Sequence, residues 1–197
     1  MIHESAPWKE ALLRDADILD RWCAKPKATE RRSVLVEKKV FLAAYAIRKL
    51  HEAEKLSSSF DQRSVKCTVY PSTSEIASKA NNHRVFDLYD LERGKRQTIA
   101  ARRLLDLIIH SLIFAESLRD DHSLVALMIT SDLSSQKGLW SVTVADFTAL
   151  MRHVGTDYPA GAVWVRDPET GERRSWRGSE TPPDVIREAL RSMVRSK

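Results

Sequence analysis

The chain is poor in the features that usually announce a chemistry. Two of its 197 residues are cysteine, Cys23 and Cys67, far apart and without a CxxC partner. That pattern excludes a disulfide framework and implies a reduced, cytoplasmic protein. Cys23, Cys67, His83 and His110 lack ligand-like spacing, so no metal site is read from them. No apolar run approaches the roughly 20 residues that a membrane helix needs. The start, MIHESAPWKEALLRD, has neither the basic segment nor the apolar run of a secretory signal. P-loop, GxGxxG, GxSxG and HExxH patterns are missing too. ATP-driven, Rossmann-type and serine-hydrolase chemistry therefore have no sequence support, and no cofactor is implied. There is no internal repeat and no low-complexity tract.

What remains is the mixture of a folded protein, 43% hydrophobic and 30% charged. The length suits one sizeable domain, or one with a small appendage. A formal charge of +5, from 32 basic against 27 acidic residues, suits an acidic partner such as RNA without singling one out.

The spacing of Trp8, Leu12, Ile18, Leu19 and Trp22 predicts a helix over 8–24, stopped by Pro26. A long helix is predicted over 30–58. Its polar residues Glu37, Arg48, His51, Glu52 and Lys55 share a sector of roughly 100°, so it should be buried on most sides. KCTVYPST reads as a short extended piece ending at Pro71. SEIASKANN reads as a short helix capped by Ser72 or Thr73, and Asn81-Asn82 as a turn. A second long helix is predicted over 95–119, between Gly94 and Asp120-Asp121. The period then changes. SLVALMITSD (123–132) and LWSVTV (139–144) read as strands, and ADFTALMRHVG (145–155) as a short helix. AGAVWVRDPETGERRSWRG (160–178) reads as a hairpin turned at Asp167-Pro168 and Gly171. DVIREALRSMVRSK, after Thr181 and two prolines, reads as a C-terminal amphipathic helix. The fold class is α+β: an N-terminal helical bundle on two long helices, then a small antiparallel sheet with packing helices. Residues 1–119 form the helical portion and 120–197 the α+β portion, packed as one unit.

The stretch ARRLLDLIIHSLIFAESL, within the predicted 95–119 helix, carries the strongest candidate site. At about 100° per residue, Arg96, Asp106, His110 and Ser117 all fall within about 60° of Arg103. Leu104, Leu105, Ile108, Ile109, Leu112 and Ile113 occupy the other side. Asp106 and His110 are one turn apart, so the carboxylate can orient the imidazole. The stripe reads either as the solvated side of an ordinary helix or as a site. An imidazole beside a guanidinium suits phosphodiester cleavage, the His shuttling a proton and the Arg stabilising a pentacoordinate phosphate. RNA supplies its own nucleophile, the 2′-OH.

Arg103-LLDLII-His110 resembles the Arg-x4-6-His motif of the HEPN superfamily, over roughly residues 30–119. The resemblance implies a helical bundle with the motif on a late helix. It also implies metal-independent endoribonuclease activity of the toxin–antitoxin, CRISPR and phage-defence kind, and a dimer in which two motifs face each other. Arg103 and His110 would be the catalytic pair, and Asp106 would stand for the polar residue, usually Asn, four before the His. The sequence departs from the pattern at Leu105, where many members carry the Arg.

Other clusters bear on the same chemistry. Arg48 and Glu52 share a face of the first long helix with His51 beside them. They form a surface ion-pair cluster, or they meet the later polar stripe and complete a shared site. Arg96, Arg102, Arg173, Arg174 and Arg177, with Trp176, are candidate nucleic-acid contacts. Equally, Trp164 and Trp176 are read as a cross-strand pair packing the hairpin. Two functions follow: a HEPN-like endoribonuclease acting on RNA, or a non-catalytic scaffold that dimerises or joins a larger complex through its helices.

Overall fold

The computed structural model describes residues 2–26, 29–166, 171, 173–184 and 186–188. Two helices open the chain, α1 (Ala6–Cys23) and α2 (Glu30–Glu52). Thr29 caps α2, its hydroxyl accepting from the Arg32 amide at 3.2 Å. A 3₁₀ turn (Ser58–Gln62) follows, then β1 (Ser64–Tyr70) and the short α3 (Val85–Leu88). Next come β2 (Lys95–Ala100), α4 (Ala101–Ile109), β3 (Ser111–Leu118), β4 (Leu124–Ser131), β5 (Leu139–Thr143) and α5 (Val144–Gly155). A two-stranded ribbon follows, β6 (Gly161–Arg166) and β7 (Arg173–Gly178). The class is α+β, with helices leading into an antiparallel sheet, as the sequence predicts.

The main sheet has the order β2-β1-β5-β4-β3, every pair antiparallel. One face, carrying Val65, Cys67, Ile99, Leu127, Ile129, Trp140 and Val142, packs under α1, α2, α4 and α5 in a single core. Burial of this apolar surface is the main driving force of the fold. Alternation along the strands sends Ile113, Met128 and Leu139 to the opposite face. There the segment 71–94 covers them with Val85, Leu88 and Tyr89. At the β1–β5 seam, Gly138 has φ +138°, and a Cβ there would lie 2.7 Å from the Tyr70 carbonyl oxygen. Only glycine fits that corner.

The predicted helix over 95–119 is three elements: β2, α4 and β3. The reason is tertiary. Residues 95–100 pair with β1 and residues 111–118 with β4, and α4 alone is helical between them. LIIHSLIFAESL satisfies a period of 2 as well as one of 3.6, and no glycine or proline marks the breaks. His110, at φ −107° and ψ 28°, turns the chain from helix straight into strand. The sheet therefore draws strands from both sides of residue 119.

Smaller differences have equally local causes. Residues 74–82 form turns instead of a short helix. The Asn81 side chain accepts from the Ser78 amide at 2.7 Å and donates to the Ile76 carbonyl at 3.0 Å, offering the backbone a non-helical alternative. Helix α2 ends at Glu52, because Glu54 adopts a left-handed φ of 57°. It is buried along Val36, Val40, Ala43, Ala44, Ile47 and Leu50, while Val34, Leu42 and Tyr45 are exposed, so it is not buried on most sides. In the ribbon, Trp164 faces Ser175 and Trp176 faces Val163. The two tryptophans therefore lie on opposite faces and make no cross-strand pair. The Asp167-Pro168 turn and most of the C-terminal helix lie outside the described residues.

One buried charge ties the helical layer together. Lys9 is fully buried, and its ammonium donates to the carbonyls of Lys55, at 2.9 Å, and Asp157. The Asp157 carboxylate in turn accepts from the Ser57 amide at 2.8 Å. Burial pulls the Lys9 pKa below the usual lysine value, opposed by Asp157. Replacing Lys9 by Met leaves two carbonyls without their donor. We expect Lys9→Met to lose about 3 kcal/mol in urea unfolding, with an unchanged m-value.

Candidate functional site

The last turns of α2 carry Arg48, His51 and Glu52 on one side. The chain reverses at Glu54 and enters the 3₁₀ turn, which buries Phe60 and sets Asp61 beside His51. The α4 start is fixed against the same turn, since the Ala101 amide donates to the Arg63 carbonyl at 2.8 Å. Arg102 and Asp106 thereby face the α2 side chains. The result is a notch of about 130 Å³ lined by Arg48, His51, Glu52, Phe60, Arg102, Leu105 and Asp106.

His51 is the least exposed polar group of this set. Its Nε2 hydrogen-bonds Asp61 Oδ1 at 2.7 Å, and its ring lies on Phe60 with centroids 5.3 Å apart. Nδ1 has no partner among the described residues. Arg102 approaches Asp61 at 4.0 Å, a loose contact, and its side chain is 64% exposed. It stands in the first turn of α4, which has no acidic residue to complement the helix dipole. Arg48 bridges Glu52, at 2.9 Å, and Asp106, at 3.4 Å. The Glu52 carboxylate accepts from Lys49 at 2.7 Å and from Arg48, and these bonds pull its pKa from 4.5 to about 2. Such an arrangement offers an oriented imidazole with guanidinium groups on both sides.

The polar faces of α2 and α4 do meet, and Arg48, Glu52 and Asp106 come together. Arg103 and His110 are placed differently. Arg103 donates to Ser134 Oγ in the β4–β5 loop, and the same loop is held from the other face by Tyr89, whose hydroxyl donates to the Ser135 carbonyl at 3.1 Å. The His110 side chain is exposed at the end of α4, without a hydrogen-bond partner among the described residues. Asp106 is turned to Arg48, so it does not orient His110. Only the His110 amide contacts that residue, donating to its carbonyl at 3.0 Å. Arg96 lies on β2 beside Lys66 and Thr68, on a separate pocket of the sheet. Arg177 is buried, pairing with Glu54 at 3.1 Å and donating to the Leu56 carbonyl at 3.0 Å, so it anchors the ribbon. Trp176 is half-buried in β7, and the side chains of Arg173 and Arg174 lie outside the described residues.

Asp61 is the group that the sequence did not single out. It stands ten residues from His51 in an irregular segment, and no periodicity links them. Among the described residues no three His, Cys, Asp or Glu side chains gather into a metal-binding group, and no helix is long and apolar enough to cross a membrane. No protein-family model, curated protein or solved structure matches the chain.

Two outcomes follow from this geometry. Glu52 titrates lower in the fold than in the unfolded chain. Its stabilisation is therefore present above pH 4.5 and lost as the pH falls towards about 2. Glu52→Gln should flatten that part of the acid-unfolding curve. Arg103→Ala should cost about 1 kcal/mol and speed amide hydrogen exchange in residues 132–138, because it frees one side of the loop.

Proposed function

We propose that the notch between α2, the 3₁₀ turn and α4 binds a phosphodiester and cleaves RNA without a metal. The observation that carries this reading is the His51–Asp61 pair at 2.7 Å, flanked by the Arg48 and Arg102 guanidinium groups. His51 Nδ1 takes the proton of the ribose 2′-OH, and Asp61 stabilises the imidazolium that forms. The 2′-oxygen bonds to phosphorus, the bond to the 5′-oxygen breaks, that oxygen takes a proton from water, and the hydroxide so formed takes back the proton from the His51 imidazolium. The products are a 2′,3′-cyclic phosphate and a 5′-hydroxyl. Arg102 and Arg48 hold the non-bridging oxygens as charge builds on the phosphate. This is the chemistry that the HEPN resemblance implies, with the imidazole supplied by α2 in place of His110.

The two assignments separate in one experiment. Purified protein is incubated with a mixed pool of unstructured RNAs, alongside His51→Ala, Asp61→Asn and His110→Ala. The notch reading expects at least a hundredfold loss for His51→Ala, a smaller loss for Asp61→Asn and none for His110→Ala. Loss with His110→Ala alone assigns catalysis to Arg103 and His110 on the outer line of α4. Equal cleavage by all four proteins, or none by any, rejects both.

A second reading, assembly through the helices, is favoured by Val34 and Leu42, exposed on the outward face of α2. It expects Leu42→Glu to abolish self-association or complex formation in sedimentation experiments while His51→Ala leaves assembly intact.

A further inference from the structure

We propose that a groove leading away from the notch takes single-stranded nucleic acid, with unpaired bases stacked on Trp8, Tyr45, Tyr158 and Trp164. This inference rests on the reading of the notch as a phosphodiester site and extends it to the class of substrate. Among the described residues five aromatic side chains count as exposed, and four of them line this groove, Phe86 being the exception. They come from separate parts of the chain: α1, α2, the α5–β6 connection and β6. No single amphipathic element accounts for their gathering.

The groove consists of two cavities, of about 790 and 320 Å³, that share Glu54 and Lys55. Glu52 lines both the larger cavity and the notch, so the groove adjoins the notch at that side chain. Three of the four rings have partners before any ligand arrives. Trp164, 62% exposed, donates from Nε1 to Glu54 at 3.2 Å. The Lys9 ammonium lies 4.1 Å from the Tyr158 ring centroid, and Lys49 lies 5.7 Å from that of Tyr45. A ring backed by a cation on one face presents the other to a base.

The charges agree with a polyanion. With Lys9 and Arg177 buried and committed to internal partners, notch and groove present four Lys or Arg side chains, Arg48, Lys49, Lys55 and Arg102, against three acids. All three acids are already engaged, Glu52 by Lys49 and Arg48, Asp106 by Arg48 and Glu54 by Arg177, which leaves Lys55 and the loosely held Arg102 to meet a phosphate. A duplex hides the faces of its bases, so exposed aromatic platforms favour unpaired strands. An apolar peptide would use the rings but not the cationic excess.

The test uses the full chain and a fluorescein-labelled 2′-O-methyl oligouridine of roughly twelve nucleotides, which cannot be cleaved because the 2′-OH is blocked. Anisotropy titrations should show binding that weakens with salt. Trp164→Ala and Tyr45→Ala should each weaken it about tenfold, and Trp164→Phe should restore most of the loss. Circular dichroism verifies that the variants are folded, and Tyr45→Ala carries the test if Trp164→Ala is not. Equal affinity for the same strand annealed to its complement, unchanged affinity in the alanine variants, or no binding at low salt overturns the proposal. Because binding is read without cleavage, the two readings fail separately. Tight, Trp164-dependent binding with no RNA cleavage rejects the notch chemistry alone. Cleavage that needs His51, with binding indifferent to Trp164 and Tyr45, rejects the groove alone.

Discussion

The Lys9 ammonium is the contact on which the arrangement of the helical layer turns. A charge removed from water must be satisfied where it sits, and among the described residues Lys9 donates to the carbonyls of Lys55 and Asp157. It thus fixes α1 to the exits of α2 and α5 at once. Asp157 extends the same junction to Ser57, the residue before the 3₁₀ turn. The position of that turn sets Asp61 against His51, and the ribbon is anchored on it through the Arg177 amide and Ser58 Oγ at 3.0 Å. Notch and groove are therefore two sides of one buried polar junction. Polar groups so placed favour one arrangement over others, because any shift leaves one of them unpaired.

The chain reveals its elements where packing and pattern agree. α1, α2, β4, β5, α5 and the ribbon each follow from residues whose period and punctuation point the same way. The segment 95–119 fails that condition. Its leucines and isoleucines fit helix and strand alike, and the partners that decide between them, β1 and β4, lie outside the segment itself. The error carried over to the site. A stripe of Arg103, Asp106, His110 and Ser117 presupposes one continuous helix, whereas Ser117 stands on β3 and Arg103 is occupied by Ser134. What did survive is the meeting of the α2 and α4 polar faces, because a polar stripe on a helix packed against another must find its match there. Asp61 lay beyond reach of such reasoning: its partnership with His51 depends on the left-handed reversal at Glu54.

Arg103 illustrates how one residue type supports two readings. Among leucines, an arginine seven residues before a motif histidine suggests chemistry; in the fold it holds the β4–β5 loop to α4 while Tyr89 holds it from beneath the sheet. Arg177 shows the same conversion, from a candidate phosphate contact to the anchor of the ribbon. Arginine serves both ends because its planar fork of donors suits carbonyls and carboxylates as well as phosphate. The arginines at the notch differ in this respect: Arg102 has only a loose contact with Asp61, and its guanidinium is the freest of these.

The sheet order has a kinetic meaning. β3, β4 and β5 are consecutive neighbours, and β1 and β2 form their own pair. The two blocks join along one seam, Thr68↔Ser141, Val69↔Trp140 and Tyr70↔Leu139, which brings together residues some seventy positions apart. Closing so long a loop precedes any reward from the contact, so this seam is where the folding barrier belongs. During synthesis β1 must wait for β5, its inner edge unpaired and open to wrong partners. Gly138 sits at that seam, against the Tyr70 carbonyl. A side chain at that position would obstruct the joining of the two blocks, although Gly138 touches neither notch nor groove.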